Sequence, residues 1–226
     1  MAYLPYNESI ENKIIAIKRQ LHLTMNGVVS DSMKEKGLRY KLNYGVSLPV
    51  LKQLAGTYEK DDVLAQHLWN LPIRETKILA ILLYPAEKLT LPQIDKWLVE
   101  CHSVELIDFS CAFLFVDSPF VKEIIQKWRG SGNEKEIMSA YILATQCLKK
   151  NIDIVEINSL FSFENIDFTP KMGQVFVNFC LFVSERDKSK ALSLFAQMQS
   201  FSNDLNEVKR WVYEELSSLL FFSAES

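Results

Sequence analysis

Apolar residues recur at spacings of three and four along most of this chain, the pattern of helices with one buried face. Only 7 Gly and 7 Pro occur among 226 residues, a scarcity that disfavours turn-rich sandwiches and barrels. The sequence therefore predicts an all-α protein. Its expected helices span residues 8–26, 48–58, 61–70, 72–84, 91–100, 103–116, 118–129, 133–150, 153–163, 169–185, 187–199 and 203–221.

Five prolines follow a residue that can cap a helix. A proline in the first turn gives up a backbone N–H that has no partner there, while Ser, Thr or Asn accepts a hydrogen bond from another unpaired N–H. We therefore expect helices to begin at five tripeptides or dipeptides: Ser47-Leu48-Pro49, Asn70-Leu71-Pro72, Thr90-Leu91-Pro92, Ser118-Pro119 and Thr169-Pro170.

Some predicted helices, such as the one at 103–116, are apolar on nearly all sides, which is typical of helices packed between neighbours. Pairs of consecutive helices make units of roughly 35–45 residues, close to the ~40–47 of HEAT-type repeats. We expect one domain, 1–226, in which HEAT-like helical repeats stack into a curved α-α superhelix. A single irregular helical domain is the alternative.

Composition and patterning point to a cytoplasmic monomer with no membrane partner. No apolar run approaches the roughly 18 residues that cross a bilayer, and the N-terminal residues lack a basic stretch followed by an apolar one. The four cysteines lie in apolar stretches without CxxC spacing, so we expect buried thiols rather than metal ligands or disulfides. They are Cys101, Cys111, Cys147 and Cys180.

The net charge of −3 conceals an asymmetry along the chain. Residues 1–60 hold 9 Lys and Arg against 5 Asp and Glu, a charge of +4, which leaves −7 for the remainder. The positive charge is densest in Met33–Gly45, which we call the basic segment. Cations there could neutralise phosphates while tyrosines contact sugar or base, although a solvated loop is the alternative. The candidate nucleic-acid contacts are Lys34, Lys36, Arg39, Tyr40 and Lys41.

The common nucleotide-binding and hydrolase motifs GxGxxG, GxxxxGK[ST], HExxH and GxSxG do not occur, and no metal or organic cofactor is indicated. His22, His67 and His102 are isolated in the sequence, which favours surface or packing roles. The predicted helix at 103–116 carries Glu105 and Asp108 three residues apart, and hence on one side. A carboxylate in so apolar a helix is either paired with a neighbouring helix or reserved for a cationic ligand.

The stretch 44–55, YGVSLPVLKQLA, resembles the Tyr-Gly-Val-x-x-Pro-x-Leu-x-x-Leu-Ala pattern of the AlkD-type DNA alkylation repair proteins. The stretch 68–77, LWNLPIRETK, is similar to the Leu-Trp-x-x-x-x-Arg-Glu segment of that family, and 103–108 occupies the place of its catalytic motif. The resemblance extends over about 44–200. It implies a superhelix of HEAT-like repeats whose concave, basic face holds duplex DNA, and active members excise cationic alkylated purines.

The resemblance also assigns roles to single residues. Asp108 matches the family aspartate that stabilises positive charge as the N-glycosidic bond breaks, and Glu105 matches the acid one turn before it. Two family tryptophans fall on Val104 and Leu181, and the family arginine has only Lys135 nearby. Trp97 or Trp128 are candidates to replace the missing rings.

Two classes of function follow from these observations. The first is a DNA alkylation repair-like protein that binds duplex DNA, damaged or undamaged, through the basic segment and Lys135, with or without hydrolysis of the glycosidic bond by Asp108 and Glu105. The second is a noncatalytic helical scaffold that binds DNA or a protein partner on its concave surface.

Overall fold

The computed structural model describes residues 7–152 and 166–222, and these residues form α-helices joined by short turns. The predicted all-α class is confirmed, and the predicted helix at 153–163 lies outside the described residues. The helices are α1 (Glu8–Leu23), α2 (Gly27–Glu35), α3 (Leu48–Ala55), α4 (Asp62–Asn70), α5 (Arg74–Leu83), α6 (Leu91–Glu100), α7 (Val104–Phe113), α8 (Val121–Arg129), α9 (Glu134–Lys149), α10 (Pro170–Arg186), α11 (Lys188–Gln197) and α12 (Glu207–Phe222). Short 3₁₀ turns occupy Ala86–Lys88, Phe115–Asp117 and Gln199–Asn203.

Three of the five proline-marked helix starts are confirmed. Helices α3, α6 and α10 each hold a proline in the first turn. At α6 the side chain of Gln93 accepts from the backbone N–H of Thr90 (2.9 Å), and at α10 the hydroxyl of Thr169 accepts from the N–H of Met172 (3.3 Å). The predicted capping contacts therefore form at α6 and α10, whereas Ser47 at the start of α3 makes no side-chain cap hydrogen bond.

The start predicted for α5 at Asn70-Leu71-Pro72 is wrong by two residues. The Pro72 carbonyl accepts from the N–H of Leu42 (3.2 Å), and the N–H of Arg74 donates back to the Leu42 carbonyl (3.0 Å). Because this bridge holds Ile73 in extended conformation, α5 begins at Arg74. A contact with a distant segment overrides the local signal.

The helix predicted to start at Ser118-Pro119 also begins later than expected. The preceding chain closes a 3₁₀ turn in which the N–H of Ser118 donates to the Phe115 carbonyl (3.0 Å). Helix α8 then begins at Val121, with Phe120 as its N-cap residue.

Helix α2 was not predicted from the sequence, and none of its residues is buried. Its start is nevertheless encoded locally. The side chain of Asn26 accepts from the N–H of Val29 (3.2 Å), and Gly27 follows directly. Helix α2 matters because it carries the first lysine of the basic segment.

Contacts divide the chain into two compact units, Met1–Pro119 and Phe120–Ser226. In the first unit α5 packs against α3, α4 and α7, and its residues Ile78, Leu79, Ala80 and Ile81 are inaccessible to solvent. In the second, α10 packs against α9, α11 and α12, and the ring of Tyr141 meets the edges of Phe176 and Phe179 with centroids 5.4 and 5.3 Å apart. The boundary 1–226 for a single domain stays a prediction.

Two further expectations can be compared with the structure. All four cysteines are buried thiols, as predicted. Among the described residues, no helix combines the length and the apolar character needed to cross a membrane.

Candidate nucleic-acid interface

The basic segment begins in the last turn of α2 and continues as an irregular chain to α3. Gly37 has a φ of +85°, in the left-handed region that favours glycine, and this residue turns the chain out of α2. The segment is then fixed to α2, since the hydroxyl of Ser30 donates to the Asn43 carbonyl (2.9 Å) and the N–H of Asn26 donates to the Tyr44 carbonyl (2.8 Å).

The four cations of this segment are exposed. Within residues 7–152 and 166–222, none of them pairs with a carboxylate. Three of them line a groove of about 590 Å³ between α2 and the irregular chain, together with one acid, Asp31. We call it the basic groove, and the side chains used below are Asp31, Lys34, Arg39, Tyr40, Lys41 and Asn43. Lys36 caps the C-terminus of α2 nearby and does not line the groove.

A buried carboxylate anchors the C-terminal end of the same segment. The side chain of Glu75 is inaccessible to solvent and accepts hydrogen bonds from the backbone N–H groups of Tyr44 (3.1 Å) and Val46 (3.2 Å). It also accepts from Nη1 of Arg74 (3.1 Å). A buried carboxylate is tolerated only when it is paired in this way, so Glu75 fixes the backbone that follows the cations.

Arg74 joins this anchor to α7. Its Nε and Nη2 donate to the two oxygens of Glu105 at 3.0 and 2.6 Å, and its Nη1 also donates to the Val46 carbonyl (3.2 Å). Burial alone lowers the pKa of Arg74, but its contacts with Glu105 and Glu75 raise that pKa above the usual value. The guanidinium therefore stays charged and bridges two carboxylates.

Tyr40 completes the connection from the basic groove to α7. Its hydroxyl donates to Oε2 of Glu105 (2.8 Å) and lies 2.8 Å from the hydroxyl of Ser103. Burial, with Glu105 beside it, raises the pKa of the Tyr40 phenol, so the group stays protonated and remains a donor. Of the sequence-predicted site residues, the structure thus brings Tyr40 and Glu105 into direct contact.

The contacts of Glu105 are those of a structural anchor. Both of its oxygens accept from Arg74, and one also accepts from Tyr40. The catalytic role of Glu105 stays a prediction. Its contacts with Arg74 and Tyr40 position the basic segment.

Asp108 lies one turn further along α7, half-buried. It shares the less buried face of this helix with Phe109 and Phe113, whose ring centroids are 5.9 Å apart. The ammonium of Lys52 on α3 lies 4.1 Å from the centroid of Phe113. This face therefore presents aromatic rings beside a carboxylate, which is the type of surface that the family resemblance implied at other positions.

The rings suggested as replacements for the missing family tryptophans are both buried. Trp97 is buried against Trp69, and Trp128 is inaccessible to solvent in the second unit. Lys135 lies in the first turn of α9, also in the second unit, where the Asn133 side chain accepts from its N–H (2.9 Å). The roles of Asp108 and Lys135 stay predictions.

Sequence reasoning gave no role to Arg74, Glu75 or Lys52. A signal for the first two was present, because a charged pair stands directly before an apolar run that the spacing assigns to the core. No local pattern indicates the contact of Lys52 with Phe113, since its two residues lie on helices distant in sequence. Among the described residues, no cluster of His, Cys, Asp and Glu has the geometry of a metal site.

The helical fold and the cationic segment define a helical-repeat protein with a candidate anion-binding face. The model of the family described as DNA alkylation repair enzyme matches residues 19–164, well over half of the chain. The chain therefore belongs to the DNA alkylation repair enzyme family, as the sequence resemblance indicated.

Comparison with solved structures supports the fold. One similar structure is described as representing a new family of proteins related to the HEAT-like repeat DNA glycosylases with affinity for branched DNA structures. It is 14% identical, with a TM-score of 0.71, and the match covers 89% of this chain and 93% of that one. The HEAT-like class is thereby confirmed. No functionally curated protein matches the chain.

Proposed function

We propose that the protein binds DNA through the basic groove and that this binding, rather than base excision, is its principal activity. One observation carries the proposal: exposed cations without carboxylate partners line a groove whose backbone is held in place by hydrogen bonds to neighbouring helices. Fixed cations bind phosphates at a lower entropic cost than lysines on a mobile loop.

The anchoring network supports this proposal. Tyr40 connects the centre of the basic segment to Glu105, and Glu75 holds its C-terminal end. Each contact joins the segment to α5 or α7, the two helices whose buried residues form part of the core of the first unit. The segment that carries the proposed phosphate-binding side chains is thus tied by hydrogen bonds to buried helices of that unit.

Branched DNA is the first target to test, because the similar solved structure comes from a family described as having affinity for it. A duplex and a four-way junction should be titrated across a salt series. On duplex DNA the slope of log K against log salt is about −0.9 per phosphate contact. Substituting Lys34, Lys36, Arg39 and Lys41 together by Gln should reduce the slope by up to about 3.6 and weaken binding to both DNAs.

A matched control removes four exposed cations elsewhere, by substituting Lys18, Arg19, Lys60 and Lys188 by Gln. If the control variant loses as much affinity and slope as the groove variant, total charge rather than the groove governs binding. Absence of DNA binding at low salt by the unmodified protein would contradict the proposal outright and favour the protein-scaffold alternative.

Hydrolysis of the glycosidic bond of a cationic alkylated purine is the second candidate function. It is favoured by Asp108, which shares a face of α7 with Phe109 and Phe113. A carboxylate beside aromatic rings can stabilise a cationic base and the charge that develops on the sugar.

The test of this second candidate is release of the base from an alkylated duplex by the protein and by Asp108→Asn. Release that is lost in the folded variant would support the assignment. Equal release by both proteins would exclude Asp108 as the catalytic carboxylate, and no release by either would leave DNA binding as the function.

A further inference from the structure

The basic groove contains two side chains that phosphate binding does not use, an acid and an exposed leucine. Asp31 and Leu42 line the groove together with Lys34, Arg39 and Lys41. A groove that held only a phosphate backbone would gain nothing from a carboxylate, because like charges repel, and nothing from an apolar side chain. The two residues therefore indicate a ligand that offers more than phosphate.

Asp31 lies in the middle of α2 and is exposed. It forms no hydrogen bond or ion pair with the residues that the structure describes. Lys34 lies one turn further along the same helix and lines the same groove, yet it does not neutralise this carboxylate. Because an ionised carboxylate only accepts hydrogen bonds, Asp31 requires a donor on the ligand, such as an amino group.

Leu42 presents an apolar surface on a fixed piece of backbone. It is 42% exposed, although its N–H donates to the Pro72 carbonyl (3.2 Å) and its carbonyl accepts from the N–H of Arg74 (3.0 Å). Leu38, which is half-buried, lines the same groove. Ligand sites combine apolar walls with a few polar groups that orient the ligand, and the two leucines supply such a wall here.

The size of the groove suits part of a single strand. Its volume of about 590 Å³ falls within the range of roughly 300–1,000 Å³ that encloses one small organic molecule. A DNA duplex is too wide to enter a space of this size. A nucleotide outside a duplex can turn its base away from the strand, and its base and phosphate can then occupy one groove together.

We propose that the basic groove binds one unpaired nucleotide of a DNA strand and that Asp31 selects bases with an exocyclic amino group. This inference rests on the proposed DNA binding. The flanking phosphates contact Lys34, Arg39 and Lys41, and the base ring lies against Leu42. The amino group of adenine, cytosine or guanine donates to the carboxylate of Asp31.

Thymine is the base that this arrangement rejects. It places a carbonyl oxygen where cytosine carries its amino group, so it would meet the carboxylate of Asp31 with an acceptor. The arrangement also favours DNA that contains unpaired bases, because a base pair engages the pairing edge and keeps the base inside the duplex. Branch points with unpaired bases would therefore bind better than continuous duplex.

The experiment compares two duplexes that differ in one unpaired nucleotide. Each carries a single-nucleotide bulge in the same flanking sequence, cytosine in one and thymine in the other, and the fully paired duplex is the reference. Fluorescence anisotropy at one low salt concentration gives the three dissociation constants. We expect the cytosine bulge to bind about tenfold more tightly than the thymine bulge, with the paired duplex weaker than the cytosine bulge.

Asp31→Asn and Glu35→Gln form a matched pair of variants. Both remove one exposed negative charge from α2, but Glu35 does not line the groove. Each should strengthen binding to the paired duplex by a similar factor of about two, because a charge that repels phosphate is lost. Only Asp31→Asn should abolish the preference for cytosine, because an amide can accept from cytosine or donate to thymine.

Leu42→Ser tests the apolar wall separately. It should weaken binding of both bulged duplexes by about threefold, because the base ring loses apolar contact, and it should leave the ratio of cytosine to thymine unchanged. Far-UV circular dichroism should stay the same in all three variants, since each replaced side chain is exposed.

Different failures contradict different statements. Equal affinity for the cytosine and thymine bulges would overturn selection by Asp31, and so would a preference that survives in Asp31→Asn or is lost equally in Glu35→Gln. Equal affinity for bulged and fully paired DNA would overturn the placement of an unpaired nucleotide in the groove. Binding to none of the three DNAs would contradict the proposed function itself, and the inference with it.

Discussion

The contact between Arg74 and Glu105 permits a quantitative test of the anchoring network. Arg74 is 3% exposed and the side chain of Glu105 is 16% exposed, and their closest atoms are 2.6 Å apart. Removing one partner of a buried ion pair costs roughly 3–5 kcal/mol, because the other charge is left in a poorly solvated site.

The variant Glu105→Ala should lie near the lower end of this range, at about 3 kcal/mol of unfolding free energy. Arg74 keeps its contacts with Glu75 and the Val46 carbonyl, so its charge does not become isolated. The variant Glu105→Gln retains an acceptor for Arg74 and Tyr40 and loses only the charge. It should cost about 1 kcal/mol, the difference between a charge-assisted and a neutral hydrogen bond.

The assay is urea unfolding followed by circular dichroism, with the slope of free energy against urea compared between variants. Glu87→Ala is the control, since Glu87 is an exposed acid in the 3₁₀ turn before α6, and it should change stability by less than about 0.5 kcal/mol. Equal stabilities for Glu105→Ala and Glu87→Ala would refute the assignment of Glu105 as an anchor, and its catalytic role would regain weight.

Three further predictions concern the first unit. Tyr40→Phe should cost about 1 kcal/mol of unfolding free energy. Because burial raises the pKa of the Tyr40 phenol from its ordinary 10.0, the stabilisation by the hydroxyl is present below pH 10.0 and is lost as the pH rises through the folded-state pKa. Urea midpoints measured across this pH range will check the prediction. Gly45→Ala should cost about 3 kcal/mol or more, because Gly45 has a φ of +69° and the new Cβ would overlap the backbone of Asn26. Gly37 has a φ of +85° but lies in open space, so Gly37→Ala should cost only about 1–2 kcal/mol in the same unfolding assay. Asp61→Ala removes the N-cap of α4 and should cost about 1 kcal/mol of unfolding free energy at neutral pH. Burial alone raises the pKa of Asp61, but hydrogen bonds from α4 and from Lys13 lower that pKa below 3.8. Thermal melts should therefore show the stability difference between the variant and the unmodified protein shrinking as the pH falls through the lowered pKa.

Most helices could be predicted because their signals are local. The N-cap and proline of α10 lie next to each other in the sequence, and the apolar spacing of α8 places Ile124, Ile125 and Trp128 on its buried face. At α5, where the predicted start was wrong, the cause was not local. Helix α5 begins late because Leu42, some thirty residues earlier, bonds the chain on both sides of Ile73.

The basic segment shows how much of the candidate site the charge pattern of the sequence could predict. The sequence alone indicated which residues could contact phosphate, since four cations stand close together with little opposing charge. It also identified Glu105 and Asp108 as polar residues in an apolar helix. It gave no indication that Glu105 is held by Arg74 and Tyr40, because each of these contacts joins residues more than 30 positions apart.

The sequence by itself therefore determined the all-α class, most helix positions, the buried thiols and the location of the positive charge. These properties depend on periodicity, capping and composition, which act over a few residues. The tertiary structure decided which side chains meet: that Glu75 and Arg74 hold the basic segment in place, and that the rings of Trp69 and Trp97 pack against each other. Such contacts depend on how helices pack and turn relative to one another, and small differences in packing decide whether two distant side chains touch or remain apart.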